Sequence, residues 1–257
     1  MLPVKSGMLH GEPKIFVADL HIHSVLSPCA QREMLPQCVI LEALEKKIDI
    51  IALCDHNACD NVEVTVTLGN RFGIWVIPGI EVETREEIHL LCYFPTVERL
   101  RDFNTFISGF LPRVPLREDI WGEEWVVNGE GQIVEKKDYL LVHPVNLSLE
   151  EVDTAVHIHG GIVIPAHVDR RSYSVFSQLG FIPSSLGMNI VEISREARWE
   201  KVVQTFGLNG FRVIRSSDAH TLGEVGTGRT CFSMFHLGWS EFVLALHGEK
   251  GRNTFLP

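Results

Sequence analysis

A chain of 257 residues with 45% hydrophobic and 22% charged residues has the size and balance of a globular protein with a substantial buried core. Its formal net charge of −10 sets aside an extended nucleic acid as partner, because such binders usually present a basic face. A small phosphorylated substrate stays open, since bound cations reverse the local sign of a site. No stretch is long and apolar enough to cross a bilayer, which speaks against a membrane partner. The six cysteines form no C-x-x-C pair, and Met1 to Lys14 holds Lys5 without an apolar run behind it. These features point to a soluble, reduced, cytoplasmic protein.

Seven apolar runs rich in β-branched residues are predicted as strands: Ile15–His23, Asp49–Asp55, Ile74–Val82, Ile88–Phe94, Ile162–His167, Asn189–Ser194 and Phe211–Asp218. After the first, Pro36 to Ile48 opens with proline and repeats apolar residues at helical spacing. A region of about 111–145 breaks the rhythm. There Asn128-Gly129-Glu130-Gly131 lies between Glu124–Val127 and Gln132–Glu135, which reads as an inserted hairpin packed by Trp121 and Trp125. Ser148-Leu149-Glu150-Glu151 is a capping box that opens a helix, and Gly160-Gly161 stops it. Arg195–Phe206 and Trp239–His247 also read as helices. Alternation of strand and helix implies a parallel sheet covered by helices, closed as a barrel, in one domain spanning 1–257.

Histidines and carboxylates recur where these strands end: His21-Ile22-His23, Cys54-Asp55-His56-Asn57, Glu81, His89, His167 and Asp218-Ala219-His220. Imidazole and carboxylate are the ligands that borderline divalent metals take. Residues two apart in a strand share a face, so His21 and His23 can grip one ion, with Asp19 placed to orient an imidazole. A carboxylate such as Glu81 is a natural bridge between two ions. In a parallel α/β barrel, functional side chains gather at the C-terminal strand ends. His157-Ile158-His159 sits at a helix end, where residues two apart diverge, and reads as solvated. His143, before Pro144, reads as a loop histidine and a reserve ligand.

The motifs Asp19-Leu20-His21-Ile22-His23-Ser24, Asp55-His56-Asn57, Gly79-Ile80-Glu81, Pro165-Ala166-His167 and Ser217-Asp218-Ala219-His220 resemble those of the PHP family, the polymerase and histidinol phosphatase metallohydrolases. The resemblance runs from about Phe16 to just past His220. It implies a distorted (β/α)7 barrel related to the TIM barrel, with two or three divalent ions of zinc, manganese or iron. It places His21, His23, Glu81 and Asp218 on a first metal, Glu81, His89 and His167 on a second, and His56 and His220 on a third. One departure stands out: three-metal members carry Asp or His where this chain has Pro28 and Cys29. Cys29 is then either a thiolate ligand or a buried thiol beside a turn proline.

Such a cluster implies phosphoester hydrolysis, in which two ions about 3.5–4 Å apart share and deprotonate a water and clamp the phosphate oxygens. Glu81 and Asp218 are the carboxylates central to that chemistry. Arg170 and Arg171 follow the His167 strand, and Arg195 follows the next one; all three are candidates to bind a phosphoryl group, Arg170 foremost. The leaving-group acid stays open among His56, His220 and Asp55. The expected substrate is a small phosphate monoester or nucleotide. The alternatives are a nuclease-like phosphodiesterase acting on oligonucleotide ends and a non-catalytic, metal-stabilised binding module.

Overall fold

Aliphatic residues at alternate positions build a ring of strands in the computed structural model, which describes residues 11–257. Met1–His10, the greater part of the stretch read above for a signal sequence, lie outside the described residues. The chain runs through β1 (Lys14–Ile22), α1 (Pro36–Glu45), β2 (Ile50–Leu53), α2 (Val62–Phe72), β3 (Trp75–Glu83), β4 (His89–Tyr93) and α3 (Val97–Ser108). It continues with α4 (Glu118–Trp121), β5 (Trp125–Val127), β6 (Ile133–Lys136), α5 (Leu149–Ile158), β7 (Ile162–Pro165) and α6 (Val175–Gln178). The last part comprises β8 (Ile190–Ile193), α7 (Trp199–Phe206), β9 (Arg212–Arg215), β10 (Thr230–Met234), α8 (Trp239–His247) and β11 (Asn253–Phe255).

The main sheet has the order β11-β10-β1-β2-β3-β4-β7, and β8 pairs with β9 separately. Two narrow seams join the pieces. Val168 N–H donates to the Glu192 carbonyl between β7 and β8, and Thr230 Oγ1 exchanges hydrogen bonds with the Arg215 backbone between β9 and β10. A Cβ on Gly228 would lie 2.0 Å from the Ser216 carbonyl oxygen, so only glycine permits the second seam to close this tightly. The result is a distorted barrel, as the motifs implied.

The expected all-parallel sheet is corrected. β1–β2–β3 and β8–β9 are parallel, but β4 runs antiparallel to both β3 and β7, and β10 runs antiparallel to β1. The reason is loop length. Only Thr84 to Ile88 separate β3 from β4, whereas a parallel crossover needs about a dozen residues or more. The reversal is made by a turn in which Thr84 and Ile88 pair and Glu87 takes φ 59°.

Side chains two apart point inward from almost every strand. Ala18 and Leu20, Ile50 and Ala52, Leu91 and Tyr93, and Phe232 and Met234 fill the barrel, with Phe242, Ala245 and Leu246 of α8 packed among them. A second apolar layer lies between strands and helices, where Val39, Ile40 and Ala43 of α1 and Leu100, Phe103 and Ile107 of α3 are buried. The Ser148 capping box forms as read, and α5 ends ahead of Gly160 at φ +78°. The hairpin in the 111–145 region is present as β5 and β6, and Asn61 ties it to the barrel by bonding the backbone of Trp125 and Val127. Among the described residues no helix is long and apolar enough to cross a membrane. All six cysteines are free thiols.

Candidate metal centre

Six imidazoles and two carboxylates converge at one rim of the barrel. They come from β1 and the residue after it (His21, His23), the turn after β2 (His56), β3 (Glu81), the start of β4 (His89), the turn after β7 (His167) and the turn after β9 (Asp218, His220). His89 opens its strand instead of closing one. Because β4 is reversed, its N-terminal end reaches the same rim as the C-terminal ends of its parallel neighbours. A register shift in β1 between Asp19 and Ile22 accompanies the turn of His21 into the site.

Glu81 is the hub. Its Oε1 lies 2.9 Å from His89 Nδ1 and 3.3 Å from both His21 Nε2 and His167 Nε2. Its Oε2 lies 3.1 Å from His56 Nδ1 and 3.5 Å from His23 Nε2. Asp218 Oδ1 sits 3.3 Å from His21 Nε2 and 3.1 Å from His23 Nε2, and those two ring nitrogens face each other at 3.2 Å. The rings of His56 and His220 flank that of His23, with centroids 4.6 and 4.3 Å away. Every member but His220 is buried.

This closeness is not explained by hydrogen bonds. Glu81 Oε1, His56 Nδ1, His89 Nε2 and His167 Nδ1 are buried without a hydrogen-bond partner, although Glu81 Oε1 has three ring nitrogens within 3.3 Å. Lone pairs crowded into a buried site repel one another unless a cation lies among them. Three groups of donor atoms are near enough to share an ion: His21, His23 and Glu81; His56, Glu81 and His89; and His23, His56 and His220. The donor set suits a borderline divalent metal.

The shifts within the cluster divide: burial lowers His21 and His56, but Asp218 and Glu81 raise the first and Glu81 the second well above the ordinary imidazole value. Burial pushes the Glu81 carboxyl up, but the imidazoles of His89, His21 and His56 outweigh it and hold the group well below the usual range. Asp218 is likewise raised by burial and pulled far down by His21 and His23. His23 is driven well below the ordinary imidazole value by burial, then by His220 and His56. Both carboxylates therefore stay anionic, and His23 stays neutral with a lone pair to offer.

Two further groups set which nitrogen faces the cluster. His21 Nδ1–H donates to Glu192 Oε2 at 3.1 Å, and the same oxygen accepts the His167 backbone N–H at 3.0 Å. His23 Nδ1–H donates to Ser27 Oγ at 3.0 Å, while Ser27 gives its own proton to Asp55 Oδ1 at 2.7 Å. Each contact points Nε2 into the site. Neither Glu192 nor Ser27 stands out in the sequence reading. The available signal was a single carboxylate inside the apolar strand Ile190-Val191-Glu192-Ile193. Asp19 does something other than orient a ligand: its carboxylate accepts the N–H groups of Ser217 and Gly226 and braces the loop that carries Asp218.

The backbone is strained where the ligands leave their strands. Asn57, His167 and Asp218 take φ values of 49°, 30° and 50°, in the region that non-glycine residues avoid. Asn57 is held there by its amide, which donates to the carbonyls of Leu141 and His143.

The remaining candidates divide. Arg170 Nη2 lies 2.5 Å from Asp218 Oδ2, at the edge of the cluster. Arg195 pairs with Glu224 at 2.9 Å, and Glu224 also accepts the N–H groups of His220 and Thr221, so Arg195 braces the His220 loop while lining a cavity of about 500 Å³ beside Asp218. Arg171 is outside this cavity and lines the next one. Cys29 is exposed as a residue, yet burial of its thiol is outweighed by hydrogen bonds to His220 and His56, which bring its pKa down to about 6. His157 and His159 bond backbone carbonyls of α5, and His143 Nδ1 contacts the Pro144 carbonyl; none of the three belongs to a donor group.

No protein-family profile matches the chain. It is 23% identical over 273 residues to the uncharacterized protein YqxK of Bacillus subtilis (strain 168), covering 93% of this chain and 64% of that one. The fold matches the lesion-specific endonuclease PfuEndoQ of Pyrococcus furiosus with a TM-score of 0.73 at 18% identity, over 94% of this chain and 58% of that one. A complex of Endonuclease Q with a 27-mer duplex bearing an abasic lesion at the active site gives 0.70, again at 18% identity, over 93% of this chain and 58% of that one. A two-domain protein of Bacteroides vulgatus containing a predicted PHP-like metal-dependent phosphoesterase gives 0.57 at 15% identity, over 95% of this chain and 65% of that one. The chain thus has the PHP-like fold that its motifs resemble, and it spans less than two thirds of these relatives' lengths.

The exclusion of an extended nucleic acid does not hold. A protein sharing this fold was solved on a DNA duplex. The physical error lies in using a whole-chain charge. The net −10 is a sum over the whole sequence, whereas the cavity beside Asp218 and the one adjoining it bring together Arg170, Arg171, Arg195, Arg198 and Lys201, against Asp169, Glu196, Asp218 and Glu224.

Proposed function

We propose that this chain is a metal-dependent phosphoesterase. The observation that supports it most is the position of Glu81, a buried carboxylate within 3.5 Å of five imidazole nitrogens and shared by two of the donor groups. His21, His23, Glu81 and Asp218 would hold one ion, and Glu81, His89 and His167 a second. His56 and His220, with Cys29 beside them, would hold a third. When bound, divalent ions of zinc, manganese or iron supply Lewis-acid stabilisation of phosphoryl oxygens and a deprotonated water near neutral pH.

The chain's own residues do the rest. Glu192 and Ser27 fix the tautomers of His21 and His23 before substrate arrives. Asp218 shares its carboxylate between those imidazoles and Arg170, which leaves the guanidinium at the cavity wall, where a bidentate contact to a phosphate can form. His220 lines the same cavity. The likeness to Endonuclease Q favours a nucleic-acid phosphodiester as substrate, and the PHP-like phosphoesterase leaves a small monoester as the second reading.

The test is hydrolysis of bis(p-nitrophenyl) phosphate and p-nitrophenyl phosphate by protein of measured metal content, with Mn²⁺, Zn²⁺ or Fe²⁺ added. Turnover of at least one ester is expected, and Glu81→Gln is expected to abolish it with an unchanged circular dichroism spectrum. A wild type inert towards both esters with every metal removes the reading, as does a Glu81→Gln rate equal to wild type.

A further inference from the structure

Arg170 and Glu196 each line two cavities at once. The smaller, of about 500 Å³, opens on Asp218 and His220, and the larger, of about 780 Å³, continues beyond it. The shared walls make one cleft that leads from the metal centre to a chamber between the turn after β7 and helix α7.

The chamber has an unusual lining for so acidic a protein. Arg198, Lys201, Val202, Thr205 and Phe206 lie three and four apart and form one face of α7. Arg198 and Lys201 are exposed near its start, and Phe206 is half-buried at its end. Arg171 adds a further cation from the opposite wall. Unlike Arg170 and Arg195, which are paired with Asp218 and Glu224, these three make no ion pair with the described residues. Of the two carboxylates present, Asp169 is engaged by the Ser194 backbone N–H and hydroxyl. Phe176 and Phe206 stack with ring centroids 4.3 Å apart and planes within 13°, giving the chamber an apolar wall.

Unpaired guanidinium and ammonium groups beside stacked aromatic rings match a nucleotide, whose phosphate takes charged hydrogen bonds while its base packs on a flat apolar surface. We propose that the chamber is a subsite for the nucleotide adjoining the scissile phosphate of a nucleic-acid strand. Arg171, Arg198 and Lys201 hold the neighbouring phosphate, and the Phe176–Phe206 wall packs the base or sugar. The assignment rests on the phosphoesterase reading for the position of the scissile group. It adds the direction in which the strand leaves the metal centre.

The experiment measures binding of a fluorescein-labelled single-stranded 12-mer DNA by anisotropy, across a salt series, to the full chain. Three proteins are compared: wild type, the double variant Arg198→Ala with Lys201→Ala, and a control lacking the same number of charges on α3, Arg99→Ala with Arg101→Ala. The chamber variant is expected to bind about tenfold more weakly and to lose about one unit of the log–log salt slope, with the control unchanged. On a cleavable oligonucleotide its loss should fall on KM and spare kcat. Equal weakening in both variants, no weakening in either, or a wild type that does not bind the 12-mer overturns the subsite. If the binding pattern appears but no ester is hydrolysed by wild type, the phosphoesterase reading fails, and the chamber stands as a strand-binding site with no scissile group beside it. If hydrolysis occurs and the chamber variant binds normally, the subsite fails alone.

Discussion

At one end of the barrel Phe242 meets Phe232, Trp239, Trp75 and Tyr93, with ring centroids 5.2 to 6.2 Å apart. At the other end six imidazoles surround Glu81 and Asp218, and most are as deeply buried. The aromatic end satisfies its polar atoms: the Tyr93 hydroxyl donates to the Leu20 carbonyl at 2.8 Å. The histidine end leaves Glu81 Oε1, His89 Nε2 and His167 Nδ1 unpartnered and holds His167 and Asp218 at positive φ. The same ring of strands thus carries one plug that stabilises the fold and one constellation that costs stability until cations enter.

If the two ends are independent, damage to each should show in a different measurement. Phe242→Ala should cause the largest loss, about 3–5 kcal/mol of unfolding free energy by denaturant titration, because it empties the centre of the aromatic cluster. Metal content per folded chain should not change. A variant that keeps its stability but loses metal would show that the ends are coupled and the comparison misplaced.

The converse experiment acts on the carboxylate behind the cluster. Glu192→Gln keeps an acceptor for His21 Nδ1–H and the His167 N–H but removes the charge that makes His21 a stronger donor. Metal affinity, read by chelator competition, should fall about 10–100-fold, with little change in metal-free stability. Unaltered affinity would reduce Glu192 to a packing residue. Ser27→Ala should have a smaller effect of the same kind, since it deletes a neutral hydroxyl between His23 and Asp55, worth about 1 kcal/mol.

How much of this was legible follows from the geometry of strands. His21-Ile22-His23 and Asp218-Ala219-His220 could be read because residues two apart share a side, and Glu81 and His167 because apolar runs end there. The direction of β4 was also available, in the short turn through Arg85-Glu86-Glu87, but alternation of elements suggested parallel strands throughout. β10 and β11 were missed, since Thr230–Met234 and Asn253–Phe255 interrupt their apolar residues with Thr, Ser and Asn and form no apolar run. Glu192 and Ser27 act through contacts 171 and 4 residues away in sequence, and local pattern encodes neither. The cleft towards Arg198 and Lys201 arises from two segments meeting in space, which composition averages away.

The smallest effect concerns a carboxyl between the two regimes. Glu124, between α4 and β5, is fully buried; its Oε1 accepts the Leu141 N–H at 2.9 Å and its Oε2 has no partner. Burial outweighs that hydrogen bond and the nearby His56, and raises the group from 4.5 to about 8. In the folded chain Glu124 therefore keeps its proton between those values, whereas the unfolded chain releases it. The unfolded state binds fewer protons in this window, so Glu124's contribution to stability is complete below about pH 4.5 and is lost as pH rises towards about 8. Glu124→Gln cannot ionise and retains an oxygen for Leu141. Its melting temperature should match wild type near pH 5 and exceed it by several degrees at pH 8.5. A gap that is constant across this range, or that widens towards acid, would mean that Glu124 is ionised in the fold and that this stretch of the 111–145 region behaves like the charged rim rather than the apolar plug.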